Sequence, residues 1–203
     1  MPDGLPEKAT DGLPLKSATP SRWVDVVARN LDAALGDHAH CELKAASTAM
    51  ALVGRFAWKP GVARELTALA REELKHFDQV RRRLEKRGKP LPTVPVDRYA
   101  KRLAMAPLRG LAGSTALMDK LVLCAFIEAR SCERFRLLAR APIEPDLREF
   151  YAELAGAEGR HHELFLELAV DDAGQEVVAV RVGEVTEIES RIVRDLPLEA
   201  RIH

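Results

Sequence analysis

Six residues of this chain have the type and spacing to hold metal ions: Glu42, Glu73, His76, Glu128, Glu158 and His161. They fall into two similar sets. Glu42 is followed 31 positions later by Glu73-x-x-His76, and Glu128 is followed 30 positions later by Glu158-x-x-His161. On a helix, residues three apart share one side, a turn from each other. Each acid also interrupts an otherwise apolar stripe, such as Leu66, Leu69, Ala70, Phe77, Val80 and Leu84 around Glu73 and His76. An ionised carboxylate on a core face is costly without a partner, and no Lys or Arg shares these faces. Two helical hairpins packed as a bundle bring four carboxylates and two imidazoles to one level, the donor set of two-metal carboxylate bundles. Hard oxygen donors with two imidazoles suit a pair of iron or manganese ions; a structural zinc site would use cysteine or fewer acids.

The repeat also sorts near neighbours. Glu72 lies four residues before His76 and competes with Glu73, but its counterpart in the second set is Ala157. His162 competes with His161, but its counterpart is Phe77. One Glu-x-x-His is a weak signal, common on solvated helix faces. Two copies, each preceded by an inward Glu at nearly equal spacing, are specific. His38, one turn before Glu42 on the same face, reads as a histidine that supports the site rather than a seventh donor. Cys124 and Cys132 flank Glu128 and read as small buried fillers. Glu133 and Arg134 read as a surface or helix–helix ion pair.

The elements that must position these residues are helices. Ala-, Leu-, Glu- and Arg-rich segments with few aromatics favour an all-α protein. Residues 1–20, with Pro2, Pro6, Pro14 and Pro20, read as an N-terminal tail ordered only if it docks. Residues 21–203 read as one domain. A short helix capped by Ser21 precedes long helices over about 31–58 and 62–87. The loop holding Pro90, Pro92 and Pro95 and a short helix near 97–105 follow. Two more long helices span about 114–139, capped by Ser114, and about 146–170, where Asp171-Asp172-Ala173-Gly174 ends the pattern. Val178, Val182, Val185, Ile188 and Ile192 fit a further amphipathic C-terminal helix that covers the bundle. The predicted fold is a four-helix bundle of two hairpins with extra short N-terminal and C-terminal helices.

Charge and composition narrow the function. Lys plus Arg equal Asp plus Glu at 31 each, so the whole molecule is no polyelectrolyte binder. Between Lys75 and Arg109, however, eleven Lys/Arg face three Asp/Glu, which leaves room for a basic face. Within it, Arg81, Arg82, Arg83, Lys86, Arg87 and Lys89 suit a helix C-terminus and are candidates for phosphate contacts. No apolar run is long enough to span a membrane, and no secretory pattern opens the chain. Three cysteines without CxxC spacing read as reduced thiols of a cytoplasmic protein. Nothing in the sequence sets an oligomeric state.

Three stretches carry a family resemblance: His38-Ala39-His40-Cys41-Glu42-Leu43-Lys44-Ala45-Ala46, Arg71-Glu72-Glu73-Leu74-Lys75-His76-Phe77, and Phe126-Ile127-Glu128-Ala129-Arg130-Ser131-Cys132-Glu133-Arg134-Phe135. Together, over roughly 23–169, they resemble the MiaE family of tRNA 2-methylthio-N6-isopentenyladenosine hydroxylases. The resemblance implies a ferritin-like, non-haem di-iron monooxygenase with two iron ions per chain. Its partners would be tRNA and an electron-donating reductase or ferredoxin. It would use O2 and two electrons to hydroxylate the isopentenyl group beside the anticodon, and Glu42, Glu73, His76, Glu128, Glu158 and His161 match the family's iron ligands. The competing reading is a ferritin-like protein that stores iron or removes peroxide, which shares every donor.

Overall fold

The computed structural model describes residues 9–93 and 96–203, and every regular element among them is a helix. The first eight residues of the tail, and Pro95 in the proline loop, lie outside the described residues. The helices are α1 (Arg22–Arg29), α2 (Leu31–Arg55), α3 (Pro60–Lys86), α4 (Arg98–Ala104), α5 (Ala116–Leu138), α6 (Pro145–Ala173) and α7 (Gln175–Asp195).

Local chemistry sets most boundaries. Pro60 and Pro145 open α3 and α6, where a missing N–H costs nothing. The Asp97 side chain caps α4 by accepting from Ala100 N at 2.8 Å. Thr115, not Ser114, caps α5, accepting from Met118 N at 3.0 Å from an extended backbone. Ser114 instead faces Asp119. α6 runs past the expected stop near Val170, because Asp172 finds partners in Lys59 and Thr115, and ends at Gly174, whose φ of +87° favours glycine. α7 is a full 21-residue helix rather than a short cap.

α2 packs with α3, and α5 with α6, as two hairpins; α7 lies across α5 and α6, and α4 bridges α5 and α7. The core has two apolar parts. One joins Ala46, Leu52, Leu66, Leu69, Leu121 and Phe165. The other joins Leu35, Ala39, Val80, Leu84, Phe135 and Leu154. Each fully buried Leu, Val or Phe there contributes about 1.5–3 kcal/mol. Between the two parts every long helix turns a charged or imidazole side chain inward: Glu42, Glu73 and His76, Glu128, and Glu158 and His161. The bundle is thus two hydrophobic cores separated by one polar layer.

Two further segments close around it. Residues 9–20 dock on α5 and α7: Leu15 joins the core, Ser17 bonds Ser190, and Thr19 donates twice to Glu133 at 2.6 Å. The loop after α3 lies against α2, where a Cβ on Gly36 would come within 2.6 Å of Pro92. His40 Nε2 meets the Pro92 carbonyl at 2.7 Å. That anchorage brings α4 over the side of the bundle. Among the described residues, no helix is long and apolar enough to cross a membrane.

Candidate metal centre

The six donors are buried, with relative exposures between 0% and 6%. They form two overlapping groups, Glu42, Glu73, His76 and Glu158 in one and Glu73, Glu128, Glu158 and His161 in the other. Within each, one donor atom per residue lies within 4.8 Å of the rest. Glu73 and Glu158 belong to both groups, so each group has one carboxylate and one imidazole of its own and shares two carboxylates. That is the arrangement of two adjacent cations bridged by carboxylates.

The contacts inside the layer test whether these residues fit metal ions. Nδ1 of His161 stands 2.8 Å from Glu73 Oε1 and 3.7 Å from Glu158 Oε2; Nδ1 of His76 stands 3.5 Å from Glu73 Oε2 and 3.8 Å from Glu42 Oε2. Yet neither oxygen of Glu73, nor Oε1 of Glu158, nor Nδ1 of either histidine has a hydrogen-bond partner. Carboxylate oxygens and imidazole nitrogens converge on shared space without well-formed hydrogen bonds, a state that is costly in a dry interior. Cations between them would satisfy all of these atoms. The donor set therefore fits a metal pair.

Electrostatics agree. Burial, followed by the neighbouring carboxylates, raises Glu42 and Glu128 well above the usual carboxylate range. Burial acts the same way on Glu73, but His161 and His76 outweigh it and hold that carboxyl low. Burial pulls His161 down, while Glu158 and Glu73 push it up to about 12. Protons here do the work that bound cations would do in their place.

Sequence spacing placed all six residues in this layer. It also placed His38, fully buried, with Nε2 2.6 Å from Glu42 Oε1. Burial lowers His38 to about 3, so the ring is neutral and shares one proton with the Glu42 carboxyl, which it orients. His162 turns away, its Nδ1 2.9 Å from the Ala125 carbonyl. Cys132 packs as a filler, its thiol against the Ala155 carbonyl. Spacing missed the role of Glu72. That side chain, 39% exposed, stands 3.3 Å from His161 Nε2, 3.9 Å from His76 Nε2 and 3.1 Å from Arg160. It meets both imidazoles from outside, opposite the donor atoms; its i, i+4 relation to His76 was the one available signal.

Glu133 and Arg134 are not a surface pair. Glu133 is fully buried and bonds Arg130 and Thr19, while Arg134 donates to the Ile202 carbonyl and lies over Trp23. The basic run on α3 engages nearby acids: Arg81 with Asp78 and Glu85, Arg82 with Asp78, Arg87 with Asp32 and Glu144, and Lys89 with Asp32. Arg83 lies 3.6 Å over the Phe150 ring, and Lys86 is exposed beside it.

Fold and donors together define a ferritin-like bundle whose carboxylate–imidazole clusters are compatible with a di-iron site. The family model described as tRNA-(MS[2]IO[6]A)-hydroxylase (MiaE) matches residues 10–203, and the chain belongs to that family. It is 37% identical to the tRNA 2-(methylsulfanyl)-N(6)-isopentenyladenosine(37) hydroxylase of Pseudomonas putida, over 91% of this chain and 89% of the relative. It is 33% identical to the Salmonella typhimurium protein of the same name, over 93% of this chain and 87% of that one. Among solved structures it resembles a Synechococcus protein with aldehyde deformylating oxygenase activity, at a TM-score of 0.85 and 34% identity, covering 93% of this chain and 94% of the other.

Proposed function

We propose that this protein is an O2-dependent monooxygenase that hydroxylates the isopentenyl group of 2-methylthio-N6-isopentenyladenosine in tRNA, beside the anticodon. Glu42, Glu73, His76, Glu128, Glu158 and His161 would hold two iron ions, Glu73 and Glu158 being the residues common to both donor groups. The observation that carries this reading is the pair of buried donor groups sharing two carboxylates, in a chain matched by the hydroxylase family over 10–203. A bound iron pair supplies the redox chemistry needed to activate O2, which side-chain acids and bases lack. The balance is one C–H bond, O2, two electrons and two protons giving one C–OH and one water. The electrons come from a reductase or ferredoxin. A tRNA substrate places the reaction in the cytoplasm.

The chain's own residues have definite tasks. His38 holds one oxygen of Glu42. Glu72, itself beside Arg160, stands 3.3 Å from His161 Nε2 and 3.9 Å from His76 Nε2, where its charge would favour rings with Nδ1 turned inward. Leu35, Ala46, Ala125 and Phe135, all buried, keep bulk water from the layer.

The deciding experiment compares nucleosides of tRNA from cells with and without the gene. The hydroxylated nucleoside should disappear on deletion and return with the intact gene, and the purified protein should bind about two irons per chain. An unchanged nucleoside profile would overturn the proposal. So would mineral-scale iron loading, or release of formate from a fatty aldehyde without RNA hydroxylation.

A further inference from the structure

Beside the polar layer lies a cavity of about 370 Å³, within the roughly 300–1,000 Å³ of small-molecule sites. Its direction follows from burial. Glu42, Glu128 and Glu158, at 2–5% exposure, form its floor, whereas Thr48, Lys101 and Ala104 at the other end are exposed. His76 and His161 do not line it, so a guest meets the carboxylate side of the layer. The walls are apolar and small: Ala45 of α2, Ala100 and Ala104 of α4, Ile127 of α5 and Phe165 of α6. Such a slot suits a short branched hydrocarbon.

The rim has different chemistry. Lys44 lines the cavity with its side chain 35% exposed and its ammonium nitrogen covered; it forms a loose ion pair with Asp97, whose Oδ2 lies 3.6 Å away, and makes no hydrogen bond. A covered ammonium paired only at that distance keeps hydrogen-bonding capacity for a further acceptor. On α4, Lys101 and Arg102 are exposed. No acid pairs with either among the described residues, unlike Arg81 and Arg82 of α3 and Arg87 and Lys89 just beyond it. Met105, 72% exposed, adds an apolar surface beside them.

We propose that this cavity receives the alkyl chain of an N6-alkylated adenine presented by RNA, that Lys44 donates to an acceptor on the base at the rim, and that Lys101 and Arg102 of α4 grip flanking phosphates. The assignment rests on the hydroxylase reading above and names its substrate subsite. It makes α4, held against α5 and α7 by the buried Tyr99 and Leu103, the wall that the RNA approaches.

The test uses iron-loaded holoenzyme and a stem-loop RNA bearing the prenylated adenosine. Ala45→Phe and Ala100→Phe, each filling the slot from a different helix, should keep wild-type iron content and helicity. Hydroxylation should fall by roughly 100-fold, as misplacement of a reacting group does. Lys44→Met, which keeps the aliphatic stem, should raise KM for the RNA. Lys101→Glu with Arg102→Glu should weaken RNA binding at least about tenfold and lower its salt slope, as loss of phosphate contacts requires. Full turnover in both iron-loaded Phe variants would overturn the cavity assignment. A larger loss of affinity from Arg82→Glu with Lys86→Glu than from the α4 pair would overturn the docking face. A wild-type holoenzyme that hydroxylates no RNA would instead overturn the parent reading, so the two failures are distinct.

Discussion

Helix α5 contributes to two buried polar clusters that are built in opposite ways. Glu128 points into the donor layer, where four carboxylates meet no Lys or Arg among the described residues, only two imidazoles, and several polar atoms make no hydrogen bond. Two residues on, Arg130 and then Glu133 enter a cluster in which charge is matched. Arg130 donates to Glu133 at 2.6 Å and to Glu189 at 2.7 Å, Tyr99 donates to Glu189 at 3.1 Å, and Thr19 bonds Glu133. Burying charge is tolerable when opposite charge and hydrogen bonds accompany it and costly when they do not. The matched cluster ties residues 9–20, α4, α5 and α7 together. The other has the donor chemistry that cations would match.

That contrast is breakable. Glu73→Ala removes a carboxylate shared by both donor groups, and the largest effect is expected there: iron content near zero and no hydroxylated nucleoside. The metal-free protein should melt close to the parent, since relief of the crowding of Glu73 on Glu42 offsets the partner that His161 loses. A metal-free variant that is strongly destabilised would make the two clusters alike.

Glu133→Ala should do the reverse. It strips Arg130 of a buried partner and should cost about 3–5 kcal/mol in denaturant unfolding, while the chains that remain folded bind iron as before. Loss of iron from folded Glu133→Ala protein would show that the clusters are one unit.

Glu72→Ala should fall between these limits. The donors remain, but the imidazoles lose their outer contact, and metal affinity or turnover should drop by about 10–100-fold. Titration with Fe(II) and steady-state rates measure it; wild-type values in both would remove Glu72 from the centre.

The smallest expected effect is on pH dependence. In the metal-free chain Glu42, Glu128 and His161 are raised, so the folded state holds protons that the unfolded chain has released above its ordinary values of about 4.3 and 6.5. Stability therefore falls as pH rises above about 6.5. Below that, His38, lowered to about 3, acts in the opposite sense, because acid favours charging it in the unfolded chain. Metal ions take the place of the protons, so the alkaline decline in melting temperature should flatten on loading. An equal decline with and without metal would contradict this origin.

Periodicity made the two hairpins readable, because an acid recurring on an apolar stripe marks both the helix face and its exception. The internal repeat did more, separating Glu73 from Glu72 and His161 from His162 without any coordinates. Less could be read where contacts join distant segments. Thr19 reaches Glu133 across 114 positions, and Ile202 N reaches Asp37 across 165. No local pattern encodes such pairs, so Glu133 resembled a surface acid.

The amino-acid sequence by itself determined the helices, their inward faces and the six candidate donors, since these follow from turn periodicity and the cost of a lone buried carboxylate. Tertiary packing decided that Glu73 and Glu158 are shared, that Glu72 stands behind both imidazoles, and that α4 walls a cavity over the carboxylate side. Those are facts of relative position between elements far apart in the chain, set by how the two hairpins pack and where the proline loop is pinned against Gly36.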